Sequence, residues 1–128
     1  MGYNSEVCVR FDIPTRMTQD SFIKRIEKDC KCKLSNLFDK IYKKDKVLYL
    51  YTGWVKWYNN FPDVENFENF VHNFEDKFKT GGVHFIRIGE DLGDIDDYSF
   101  GNPSDYISII EQVDFNGIDK MIDIEEEI

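Results

Sequence analysis

The feature that most constrains the fold of this chain is an aromatic stripe between residues 63 and 78. Val64, Phe67, Phe70, Val71, Phe74 and Phe78 recur at steps of three and four, with Glu65, Glu68, Glu75 and Asp76 set between them. Strict alternation cannot generate those steps, whereas an α-helix brings all six side chains to one face. A stripe this bulky needs a broad apolar partner, and one face of a β-sheet supplies it. Phe61-Pro62-Asp63-Val64 reads as the helix entry. Proline is tolerated where the first N–H groups have no intrahelical acceptor, and a carboxylate favours the positive end. Gly81-Gly82 closes the helix.

The strands that could form that sheet are legible on either side. Over residues 6–13, Val7, Val9, Phe11 and Ile13 alternate with Cys8, Arg10 and Asp12, predicting a strand with one buried face that ends at Pro14. Residues 47–58 carry aromatic and branched side chains at successive positions, so a strand at least partly covered on both faces is expected, with Gly53 marking a bulge or close backbone approach. Val83 to Ile88 forms a third strand and Tyr106 to Phe115 a fourth, followed by a turn at Asn116-Gly117. Thr18 or Asp20 can cap a first helix whose apolar stripe is Phe22, Ile23, Ile26 and Cys30. Residues 33–46 read as a second short helix or an irregular connection, and 91–105 as loop. Ile118, Met121 and Ile122 could anchor a final short helix before Glu125-Glu126-Glu127. The order β-α-β-α-β-β favours an α+β fold, a single sheet with helices packed on one face, in a ferredoxin-like variant. The 128 residues read as one domain with an acidic C-terminal segment, 116–128.

Charge is divided along the chain. Residues 1–88 hold 15 basic and 12 acidic side chains, whereas 89–128 hold 13 acidic and one basic, Lys120. An anionic third of a small domain repels nucleic acid and acidic lipid, so it points to a partner with a cationic surface. No apolar run approaches the roughly 20 residues of a membrane span, and Met1 to Glu6 lacks a signal-peptide or myristoylation pattern. Three cysteines, Cys8, Cys30 and Cys32, make a disulfide framework a poor fit and a reducing cytoplasm the simple reading.

Sites of chemistry are weak by comparison. Glu90, Asp91, Asp94, Asp96 and Asp97 crowd one loop, where hard cations could find oxygen ligands, yet the spacing departs from an EF-hand and a solvated acidic loop explains it. Cys30-x-Cys32 with Cys8, and His72 or His84 as a fourth ligand, is a poor zinc set because the paired Cys-x-x-Cys knuckle is missing. There is no Gly-x-Ser-x-Gly elbow and no phosphate-cradling glycine loop, and nothing brings either histidine to a nucleophile. The reading is therefore no metal, no cofactor and no catalytic residue. Residues 16–46 form a basic stretch, with ten basic and five acidic side chains. Tyr49, Tyr51, Trp54, Trp57 and Tyr58 could stack on bases nearby, but a solvated helix face accounts for the charge equally well.

Three short segments carry a resemblance. They are Ser5-Glu6-Val7; Lys56-Trp57-Tyr58 with Phe61-Pro62-Asp63-Val64; and Phe85-Ile86-Arg87-Ile88-Gly89-Glu90-Asp91 with Asp94-Ile95-Asp96. Together they resemble small proteins encoded by bacteriophages and prophages. The resemblance implies a phage setting, the cytoplasm of the bacterial host, and no catalytic residues. Small phage proteins of this kind often act by binding, as host-takeover or counter-defence factors. Two functional expectations follow. In the first, Glu90, Asp91, Asp94, Asp96 and Asp97, rimmed by Tyr98 and Phe100 as apolar anchors, meet a basic groove on a host defence protein and imitate nucleic acid, as an anti-CRISPR inhibitor would. In the second, the chain is a sponge for a nucleotide immune signal, held by Trp54, Lys56, Trp57, Tyr58 and Arg87, in which case pockets shared between subunits would favour a homo-oligomer. Arg87 also stands close to Glu90 and Asp91, so an internal ion pair is its plainest role.

Overall fold

The computed structural model describes residues 3–101 together with the strands Ile107–Ile109 and Val113–Phe115. In chain order the elements are β1 (Ser5–Asp12), α1 (Gln19–Cys30), α2 (Leu34–Leu37), β2 (Lys40–Lys44), β3 (Val47–Val55), α3 (Pro62–His72), α4 (Phe74–Lys77), β4 (Gly82–Gly89), β5 (Ile95–Phe100), β6 (Ile107–Ile109) and β7 (Val113–Phe115). The first five strands form one open antiparallel sheet in the order β2-β3-β1-β4-β5, and β6 and β7 pair as a separate two-stranded ribbon. The class is α+β, with helices against a single five-stranded antiparallel sheet.

Two strands lie where the sequence reads otherwise. β2 falls inside the stretch read as a short helix or irregular connection, which does begin with the short helix α2, and β5 falls inside the stretch read as loop. Both are edge strands, and edges are protected by charge instead of being marked by apolar alternation. Of Lys40-Ile41-Tyr42-Lys43-Lys44 only Ile41 is fully buried, and β5 is exposed along most of its length. Tyr106 to Phe115 is likewise not one strand: Ile107 pairs with Phe115 and Ile109 with Val113 in the ribbon. The turn at Asn116-Gly117, the helix around Ile118 to Ile122 and the acidic segment 116–128 lie outside the described residues.

The helix-side face of the sheet forms the core. Val7, Val9 and Phe11 from β1, Leu48 and Leu50 from β3, Ile41 from β2, and Val83 and Phe85 from β4 pack beneath Phe22, Ile26 and Cys30 of α1 and the aromatic stripe of α3 and α4. Phe11 sits at its centre, with the rings of Phe22, Phe67, Phe70 and Phe74 at centroid distances of 5.2, 6.3, 6.0 and 6.1 Å. Thr18 caps α1 in a reciprocal box with Ser21. The stripe helix breaks once at Asn73, a residue whose side chain competes with the helical backbone, yet Phe74 and Phe78 stay buried beyond the break. β3 has the expected bulge: Ser5 pairs with Val55 but Val7 with Thr52, so Gly53 and Trp54 together oppose Glu6.

The opposite face of the sheet departs from the alternation in β1. Cys8 and Arg10, on the side expected to be open, are 0% and 5% exposed, with Tyr49 and Ile86 buried beside them. β1 is therefore covered on both faces.

Candidate functional site

β4 and β5 form a hairpin along one edge of the sheet, and the loop from Glu90 to Asp94 joins them. Its turn is closed by backbone bonds: Gly89 N donates to Asp94 O at 2.8 Å and Asp94 N to Asp91 O at 3.0 Å. Gly93 takes a φ of +86°, in the left-handed region that favours glycine. Gly89 has a different reason. A Cβ there would come within 2.1 Å of Asp94 Oδ2 and 2.4 Å of Tyr3 Oη, so any side chain at this position pushes the Asp94 carboxylate or the Tyr3 ring aside.

The carboxylates of this hairpin are mostly fixed in place. Arg87 donates through Nη2 to Asp94 Oδ1 at 2.8 Å, through Nε to Asp96 Oδ2 at 2.8 Å and through Nη1 to Ser5 Oγ at 2.9 Å. Tyr3 Oη donates to Asp94 Oδ2 at 2.5 Å and accepts from Asp91 N at 2.9 Å, while Asn4 N donates to Glu90 Oε2 at 2.7 Å. His84 Nε2 lies 2.7 Å from Asp97 Oδ1. Among the described residues the Asp91 side chain alone of the five has no partner. The Arg87 guanidinium, with help from Tyr3, holds the Asp94 carboxyl below the ordinary carboxylate range. The bond to Asp94 in turn raises the Tyr3 phenol. Burial works against the charge on Arg87, but Asp94 and Asp96 outweigh it and raise its pKa further.

The apolar residues of the hairpin are arranged differently from the expectation. Tyr98 and Phe100 are half-buried and pack on the helix-side core, Tyr98 with its ring 4.4 Å from that of His72 and Phe100 facing Phe74. Leu92, at the loop tip, is 83% exposed, and Ile95 follows at 36%. Sequence reasoning passed over Leu92 because a lone leucine in an acidic loop carries no periodicity. Its surroundings of Glu90, Asp91 and Gly93 were the available signal.

The residues proposed for a nucleotide do not converge. Trp57 is buried, its ring among Phe38, Phe67 and Phe85 and its indole N–H donating to Glu68 Oε2 at 2.7 Å, so it offers no stacking face. Tyr58 Oη accepts from Tyr3 N at 2.6 Å, and Arg87 is committed to Asp94 and Asp96. Lys56 is exposed beside an open groove of about 320 Å³ shared with Asn36, Phe61 and Asp63. Trp54 occupies the β3 bulge; its side chain is outside what the structure describes. Tyr49 and Tyr51 belong to the face away from the helices, with Tyr51 Oη donating to the Glu6 carboxylate and Tyr49 Oη accepting from Arg10 Nη1 at 2.9 Å. The lysines of α1 do not adjoin them. The thiols are also apart: Cys30 lies in the helix-side core and Cys8 in the cluster on the other face. No three His, Cys, Asp or Glu side chains among the described residues are placed to hold a metal ion.

No family model, no curated protein and no solved structure matches this chain. No helix among the described residues is long and apolar enough to cross a membrane.

Proposed function

We propose that this protein is a non-enzymatic, phage-encoded counter-defence factor that binds a bacterial immune effector in the host cytoplasm and blocks it, in the manner of an anti-CRISPR inhibitor. The observation that carries the reading is the β4–β5 hairpin, on which four of five clustered carboxylates are held by intramolecular partners around the protruding Leu92. Charges fixed before binding cost less ordering entropy on association, and their sign steers the approach to a basic groove. Leu92 supplies the apolar contact that a purely electrostatic surface lacks. The same charge disfavours direct nucleic-acid binding. The phage setting is supported by the resemblance of the three short segments. A ferredoxin-like variant is our reading of the architecture: two interleaved β-α-β crossovers, β1-α1-β2 and β3-α3-β4, with β5 added at the edge.

The sponge reading keeps the groove beside Lys56, and a melting shift with cyclic nucleotides would revive it. Binding to a basic effector is tested by capture from a bacterial host lysate at low and moderate salt. A captured effector released by moderate salt, and not captured by a Leu92→Ala, Asp91→Asn variant, is the expected result. Salt-insensitive capture, or equal capture by the variant, refutes the assignment.

A further inference from the structure

The sheet ends on two edges of opposite sign. β5 carries carboxylates of the candidate site, whereas β2 reads Lys40-Ile41-Tyr42-Lys43-Lys44, three cations and no acid in five positions. Among the described residues no strand pairs with the outer side of β2, so its outward N–H and C=O groups are open to another strand. The two faces of that edge differ. Ile41 is buried on the helix side, and Lys43 follows it there, with Nζ 3.6 Å from Asp20 Oδ1 of α1. Beside them α1, α2 and β2 leave an open groove of about 340 Å³. Ile23 and Ile41 supply its apolar lining, and its Lys24 and Lys33 are balanced by Asp20 and Glu27. Lys40, Tyr42 and Lys44 alternate onto the other face, where the Tyr42 ring lies 6.1 Å from that of Tyr49. Neither Lys40 nor Lys44 has an ion pair among the described residues. The carboxylates of that face are distant and engaged. Glu6 and Asp12 stand on β1, two strands away, bonded to Tyr51 and Arg10, and Asp97 on β5 is bonded to His84.

We propose that the β2 edge is a docking site for an acidic extended peptide of another protein, which adds to the sheet as a sixth strand. Strand addition satisfies the open backbone groups and turns alternate side chains of the peptide to opposite faces. One set falls over the groove, where Ile23 and Ile41 favour an apolar side chain. The other set falls beside Lys40 and Lys44, where a carboxylate meets an unpaired cation. The chemistry that fits is therefore an alternation of apolar and acidic residues. Lysines on an edge protect it from like edges, and two β2 strands side by side would oppose cation to cation. They do not protect it from an acidic strand. Among its described strands, a second copy offers only β5 as an acidic edge, and there Asp96 and Asp97 are already held by Arg87 and His84. This inference is independent of the proposed function, since it uses the opposite edge and a partner of the opposite sign.

Fluorescence anisotropy of the full chain with labelled peptides of about six residues, the usual strand length, tests it. The probe peptide alternates valine with glutamate, and its control alternates valine with lysine. The glutamate peptide should saturate the chain below about 1 mM at low salt and bind about tenfold more weakly at about 0.5 M salt, where exposed charges are screened. The lysine peptide should not bind. A Lys40→Glu, Lys44→Glu variant, its melting temperature recorded alongside, should bind the glutamate peptide about tenfold more weakly. Two further glutamate peptides separate strand addition from attraction of charge alone, one N-methylated on its valines and one on its glutamates. An added strand turns only one of those two sets of N–H groups toward β2, so one peptide should lose about tenfold in affinity and the other keep it. No binding of the glutamate peptide at millimolar concentration, equal binding of the lysine peptide, or unchanged affinity in the variant overturns the proposal. Equal affinities of the two N-methylated peptides overturn it even if the variant unfolds. A light-scattering mass that grows with protein concentration, and does so only without the two substitutions, overturns it as well by assigning the edge to a second copy.

Discussion

Arg87 makes four hydrogen bonds, one to Ser5, two to Asp94 and one to Asp96. Replacing it with Gln leaves two carboxylates facing each other without their cation. We expect a loss of about 1–3 kcal/mol in chemical denaturation, the range for hydrogen bonds to charged groups that water can still reach. Asp94 adds a pH signature. Its folded pKa is lowered by Arg87, so its contribution is complete above the ordinary carboxylate value of about 3.9 and is lost as pH falls through the lower folded value. The difference in melting temperature between the unaltered protein and Asp94→Asn should therefore be largest near neutral pH and shrink below about pH 4. A constant difference across that range would remove Asp94 from the network. An internal ion pair for Arg87 was readable from the sequence, but the partners were not. Glu90 and Asp91 are nearest in the chain, whereas β5, unread as a strand, sets Asp96 opposite Arg87 and brings Asp94 beside it.

Elements were legible in proportion to their burial. α1, β1, β3, β4 and the stripe helix are packed against the core, and their apolar periods survive in the sequence. β2 and β5 have solvent along one side, so lysine and aspartate replace the apolar pattern. The same division orders their sensitivity to mutation. Phe70→Ala, within the packed rings of Phe11, Phe22 and Phe74, should cost about 3–5 kcal/mol. Phe61→Ala, at a residue 40% exposed, should cost under about 0.5 kcal/mol. Gly89→Ala should cost about 1–3 kcal/mol, because its methyl group must displace Asp94 or Tyr3. Thermal or denaturant melts of the three variants check the ranking, and a neutral Gly89→Ala would show that the loop adjusts freely. The burial of both faces of β1 was only partly readable: Cys8 is a small residue at home in a core or at a surface, whereas the charge of Arg10 makes its position look exposed although it is buried.

Across the whole molecule, charge and shape coincide at the β4–β5 edge. The sequence locates the change of sign near residue 89, and the fold places its first five carboxylates on one hairpin with Leu92 at the tip. The candidate site was thus legible in its charged residues and misassigned in its apolar ones, since Tyr98 and Phe100 turn toward the core. Leu92 is so exposed that Leu92→Ala should leave stability within about 0.5 kcal/mol of the unaltered protein while weakening partner binding about tenfold or more. The most direct test of the docking claim is the affinity for the captured effector as a function of salt, measured for the unaltered protein and for a Glu90→Gln, Asp91→Asn, Asp97→Asn variant whose melting temperature is recorded alongside. An affinity that falls steeply with salt in the first, and is weak and nearly salt-independent in the second, is the predicted result. Equal affinities with equal salt slopes would contradict it.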